Sequence, residues 1–236
     1  MKDFFVLGYR HLGHLFVINL FSLLLVSPFL LYVYFWNSPV WDYMLPTFWA
    51  KVGFGALLFF LLFPPQFYAS TAWIRDVIKR EEEPAPEVPY SRFFSYLFRF
   101  APISYLHFLV FLVIAGGFAG SIFWASLLAK SASRIVRIVG VFPAVFWFWI
   151  LVAFLCVTTL FVPLYIRGNS IKLSFKAGLV AFFKKPFSMM AITLAWLLWL
   201  VVLPLIGITV MLYFSGASLM WEIAARSFLK SVEGGG

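Results

Sequence analysis

The sequence predicts an all-α protein, a polytopic transmembrane helical bundle of about five spans with amphipathic helices at the membrane interface, and three observations predict it. Hydrophobic residues make up 64% of the 236 and charged residues 11%, against roughly 45–50% and about 25% in an ordinary soluble domain. Five apolar runs are each long enough to cross a hydrocarbon core of about 30 Å, which takes roughly 20 residues of helix. The charged residues fall between those runs and none falls inside them. With 18 basic and 9 acidic side chains the chain cannot cover the surface of a water-soluble domain of this length, so lipid takes the place of water around most of it.

In chain order the runs are residues 15–36, 52–73, 101–128, 139–165 and 189–213, all within a single integral membrane domain over 1–236. The first follows Lys2 and Arg10, as the core of a signal peptide would. It continues through Leu20, Leu25 and Leu31 to Trp36, past the roughly 7–15 residues of such a core, and reads as a retained span.

Orientation follows from the basic residues. One alternate set of segments carries Lys2, Arg10, Arg75, Lys79, Arg80, Arg92, Arg99, Arg167, Lys172, Lys176, Lys184 and Lys185. The other carries only Lys51, Lys130, Arg134, Arg137, Arg226 and Lys230. Lys and Arg are retained on the cytoplasmic side, so segments 74–100 and 166–188 are expected inside, with the N-terminus inside and the C-terminus outside. The basic turn at 130–137 runs against this bias. Tyr34, Trp36, Trp41, Tyr43 and Trp49 cluster around the first outer turn, at the level aromatic residues favour. The net charge of +9 thus belongs to membrane orientation, and nucleic acid is not expected as a partner.

The connecting segments have their own pattern. Pro84, Pro86 and Pro89 break any continuous helix through the polar stretch that starts at Arg75. Next, 90–100 mixes Phe93, Phe94, Tyr96 and Phe98 with Arg92 and Arg99, as an interfacial helix does. Asn169 or Ser170 can cap a second such helix, with Ile171, Phe175, Leu179, Phe182 and Phe183 apolar and Lys172 and Lys176 on a basic edge. Residues 5–15 form a looser third case. An internal repeat and the recurrent physics of chains entering a bilayer both account for the likeness.

Ionisable or strongly polar groups inside a span are costly and mark function by default. Only Asn19, Gln66 and His107 qualify in the five runs. Asn19 and Gln66 read as hydrogen-bond partners between helices, and His107, about two turns past Arg99, as an imidazole near the inner interface or a proton relay. Gly116 and Gly120 give the spacing that lets helices approach closely, within the chain or between chains. Prolines at 28, 64, 65, 143, 163 and 204 kink helices for packing or bare carbonyls toward a solute. Lys172, Lys176, Lys184 and Lys185 suit a protein partner or anionic lipid. Cys156, the one cysteine, stands in an apolar run as a packing residue, and Glu81 to Glu83 form a solvated charge run. No phosphate-binding glycine loop, nucleophile motif or metal-ligand spacing occurs, so neither an enzyme nor a cofactor is expected. The terminal Gly234 to Gly236 reads as an appended remnant and carries no functional weight.

Several positions resemble the YesL-like family of small bacterial integral membrane proteins, a family of unknown function. They are Ile18-Asn19-Leu20 with Pro28, Pro64-Pro65 through Ala69 to Trp73-Ile74-Arg75, Phe93-Phe94, and Tyr165 through Ser170 with Lys176-Ala177-Gly178. The resemblance implies a bacterial inner-membrane protein that assists a carbohydrate importer of the ABC type, and it transfers no catalytic residue. The expected function is therefore a non-enzymatic accessory subunit, with membrane lipids and a membrane-protein partner or a second copy as its contacts. A transporter or permease subunit in its own right, or a lipid-binding membrane-organising protein, are the alternatives.

Overall fold

A computed structural model of the chain describes residues 2–36, 46–82, 88–130, 133–202 and 213–233. Among them the regular elements are all helices: α1 (Lys2–Arg10), α2 (Leu12–Tyr34), α3 (Pro46–Glu82), α4 (Ser91–Leu128), α5 (Arg134–Ile166), α6 (Ile171–Lys184), α7 (Pro186–Val202) and α8 (Tyr213–Glu233). This is the all-α class that composition and run length predict. Four helices are long and apolar enough to cross a membrane, and a fifth candidate is the pair Ile171–Lys184 and Pro186–Trp199, bent by 112° at its break. Trp41, Tyr43, the 83–87 stretch, the end of the fifth run with Pro204, and Gly234 to Gly236 lie outside the described residues.

The helices run beyond the uncharged stretches that predict them. With 37, 38 and 33 residues, α3, α4 and α5 reach roughly 50–57 Å at about 1.5 Å per residue, well past the hydrocarbon thickness. The 90–100 segment, expected as a separate interfacial helix, is instead the first part of α4, which passes through Pro102 unbroken. Ser104 Oγ donates to the Ala101 carbonyl at 2.8 Å beside that proline, one of the local adjustments by which long helices accommodate it. Where breaks do occur, the chemistry is visible. Gly168 takes φ +92° after α5, a backbone setting that suits a residue without Cβ, and its N–H donates to the Tyr165 carbonyl at 3.0 Å. Ser170 then caps α6 by accepting the Leu173 N–H at 3.2 Å.

The chain packs as two compact units, residues 1–105 with 196–223 and residues 106–195 with 224–236. In the first, α2 and α3 run antiparallel. Tyr32 OH donates to the Lys51 carbonyl at 2.6 Å, Phe29 meets Phe59, Ser22 meets Ser70 and His14 meets Trp73, so the pairing descends one helix as it climbs the other. The core gathers at the Trp73 end, where Leu15, Ile18, Ala69, Ile74, Phe93 and Leu219 surround the indole. There Tyr96 OH donates to Asp76 Oδ2, which ties α3 to the start of α4, and Arg75 Nη2 lies 2.8 Å from Asp76 Oδ1 within α3. In the second unit α6 folds back on α5, and Cys156, Leu160, Leu164, Ala181, Met189 and Ala225 form the core.

Burial is uneven along the long helices. Most of α3 from Pro64 to Ile78 is buried, whereas Phe54 and Leu57 in its other half are each 51% exposed. In α5, Cys156 to Leu164 is buried, while Phe142 and Phe146 are more than 60% exposed. Large apolar side chains bared along whole helix halves are untenable in water and are what a span shows to lipid.

Beyond the fifth run the chain forms α8, a 21-residue helix with Ala217, Ser218, Leu219, Trp221 and Glu222 buried. Its apolar residues recur at helical spacing between Glu222, Arg226 and Lys230. A search for uncharged runs passes over an amphipathic helix of that kind.

Candidate functional site

The first unit holds a seam of buried polar side chains contributed by three helices. α2 supplies Asn19 and Ser22, α3 supplies Gln66, Ser70 and Thr71, and α8 supplies Ser215, Ser218 and Glu222; none is more than 1% exposed. The spacing explains the convergence. Residues three, four and seven apart share one helix face, so 19 and 22, 66 and 70, and 215, 218 and 222 each form a stripe. Leu219 packs in the same core as Ile18 and Ala69, which turns that side of α8 toward α2 and α3.

The seam is linked by direct contacts. Ser22 Oγ lies 3.5 Å from Ser70 Oγ, joining α2 to α3. The Phe67 carbonyl accepts from Thr71 Oγ1 at 2.7 Å and from Ser218 Oγ at 3.5 Å, joining α3 to α8. Trp221 closes the flank, stacked on Trp196 with ring centroids 5.1 Å apart. Glu222 follows Ser218 by one turn and is fully buried. An arrangement of this kind holds helices together.

Asn19 and Gln66 are therefore both buried, on the helix faces that carry Ser22 and Ser70. Sequence reasoning missed Ser215, Ser218 and Glu222, which lie beyond the five uncharged runs, and passed over the serines within them. The signal that finds them is the Ser215, Ser218, Glu222 stripe.

His107 belongs to the second unit and stands apart from this seam. Its Nε2 lies 2.9 Å from Thr158 Oγ1 on α5, and the rings of Phe154 and Phe161 meet the imidazole edge-on at 5.2 and 5.4 Å. Thr158 in turn donates to the Phe154 carbonyl at 2.8 Å, so the contact bridges α4 and α5. Gly116 and Gly120 have no neighbour within 4 Å of where a Cβ would stand. The close approach is made by Gly117, where a Cβ would meet the Trp147 ring at 2.7 Å.

No family model, curated protein or solved structure matches this chain. Its surfaces are then the guide to what it contacts.

The four lysines singled out above lie on or next to α6, and all are exposed. Their helix packs closely on α5. Ser174, Gly178 and Ala181 form its buried face, and at Gly178 a Cβ would stand 2.9 Å from Val157 Cγ1 and 3.0 Å from the Val157 carbonyl oxygen. The contact face is thus made of small residues. Phe175 and Phe183, at 47% and 76% exposure, point outward with Lys172, Lys176 and Lys184. Close packing against a helix backbone selects the smallest side chains and turns the bulky ones away.

Proposed function

We propose that the chain is a non-enzymatic accessory subunit of a bacterial inner-membrane complex, and that α6 is the element that docks on the partner. The observation that carries this reading is the outward face of α6, where Lys172, Lys176 and Lys184 stand among Phe175 and Phe183 on a helix fixed by Gly178. Aromatic anchors supply contact area at low entropic cost, and a rim of cations selects an acidic surface. The resemblance to the YesL-like family directs the search toward a carbohydrate importer of the ABC type, and positive-inside counting puts α6 on its cytoplasmic side.

The reading is tested by affinity purification of the chain from its native membrane in mild detergent, beside the Lys172→Glu, Lys176→Glu variant. The expected result is a stoichiometric transporter complex with the unaltered chain, and at least tenfold less partner with the variant at equal membrane abundance. Recovery of the chain alone, or equal recovery by both, overturns it. Anionic lipid attracts each such lysine by about 1 kcal/mol near the surface. A variant that loses bound anionic lipid but keeps its partner therefore assigns the lysines to lipid.

A second reading, a transporter subunit in its own right, is favoured by Glu222 and its seam. In liposomes loaded with a pH-sensitive dye and given an imposed membrane potential, it predicts proton flux that falls at least tenfold in Glu222→Gln. Flux that survives the substitution, or none with the unaltered chain, counts against it.

A further inference from the structure

We propose that a cavity at the Arg10 and Arg80 ends of α1 and α3 is a binding site for a phosphate group. The cavity, of about 410 Å³, is lined by Arg10, His11, His14, Arg80 and Tyr90 over an apolar floor that includes Val77. Two guanidinium groups, two imidazoles and a phenol thus face one space. They come from the last turn of α1, the α1–α2 break, the first turn of α2, the last turn of α3 and the residue ahead of α4. The antiparallel pairing of α2 with α3 brings these distant stretches of sequence together.

The walls are built, not merely adjacent. Trp73, fully buried, is the platform: Tyr90 stacks on it at 5.5 Å with the ring planes 15° apart, and His14 meets it edge-on at 5.6 Å. Tyr90 OH and His14 Nδ1 lie 3.2 Å apart, which fixes the two rings against each other. His11 is only 8% exposed, with its ring 6.3 Å from that of His14.

The chemistry selects the ligand. Arginine forks match the oxygens of a phosphate in pairs, and imidazole N–H and phenol O–H groups add further donors to the same anion. Small-molecule sites span roughly 300–1,000 Å³, so this one takes a phosphate with a short organic group and not a large cofactor. Two sources carry that chemistry, a soluble phosphate ester and the headgroup of an anionic phospholipid. The proposal does not depend on the docking role of α6, which lies in the other unit.

The test uses the full chain in a phosphate-free maltoside detergent. Inorganic phosphate and glycerol 1-phosphate are titrated by calorimetry, and retention of phosphatidylglycerol is followed by native mass spectrometry. Binding in the first arm alone assigns a soluble ester, and binding in the second alone assigns the lipid. In either case the Arg10→Gln, Arg80→Gln variant is expected to bind at least tenfold more weakly, with Arg137→Gln, at an exposed position outside the cavity, unchanged. No binding in either arm, or equal binding by the arginine variant, overturns the site. Should the arginine variant fail to fold, the unaltered protein decides. Phosphate or phosphatidylglycerol is expected to slow phenylglyoxal modification of Arg10 and Arg80, read peptide by peptide, but not that of exposed Arg137. Equal rates with and without the anion overturn the proposal.

Discussion

Trp73→Ala is expected to remove about 3–5 kcal/mol of stability, the range for truncating a large buried aromatic, and to be the most damaging single change in the first unit. The indole is fully buried among Leu15, Ile18, Ala69 and Leu219, and it carries both Tyr90 and His14. Its loss leaves a void between α2, α3 and the start of α4 and frees two walls of the cavity beside Arg10. Thermal unfolding in detergent, followed by circular dichroism, measures the cost. Trp73→Phe is expected to fall well short of it, because the indole N–H has no acceptor to lose. Equal effects of the two substitutions would mean that the ring's packing is not what stabilises this end.

Gly178→Val is expected to cost about 1–3 kcal/mol, the range for overpacking a close contact, and to loosen α6 from α5. The nearest obstacles include the Val157 carbonyl oxygen and Cα as well as its side chain, so a rotamer change cannot relieve the clash and one helix has to move. Hydrogen exchange of the α6 amides is the measurement, with faster exchange expected from Ile171 to Lys184. Gly116→Ala, at a position open within the chain, is expected to leave exchange and stability unchanged. Unchanged exchange in Gly178→Val would show that α6 is held by something other than this approach.

The class of the fold was legible because it rests on bulk physics. Lipid excludes charge from a span, so the uncharged runs locate the long helices, and the Ser170 cap and the break at Pro186 follow from local chemistry. Helix ends were less legible, since a helix continues past the hydrocarbon wherever other helices cover it. α4 therefore absorbs the Phe-rich stretch before Pro102. The seam was half legible. Asn19 and Gln66 are visible as polar residues inside apolar runs, but Glu222 becomes meaningful only when α8 is placed against α3 through Ser218 and Phe67. The basic cavity was hidden for the same reason, because Arg10 and Arg80 are neighbours only through an antiparallel pairing. The face of α6 that meets α5 was not legible, because the sizes of Ser174, Gly178 and Ala181, not hydrophobicity, decide what packs on Val157.

The docking role of α6 is tested most directly by placing a photoreactive benzoylphenylalanine at Phe175 in cells that carry the native membrane partners. A second chain carries it at Ala181, which is 3% exposed on the inner side of the same helix. Irradiation is predicted to join the Phe175 position to one discrete membrane protein, with no such product from Ala181. Cross-links to lipid alone, or the same products from both positions, would contradict the account.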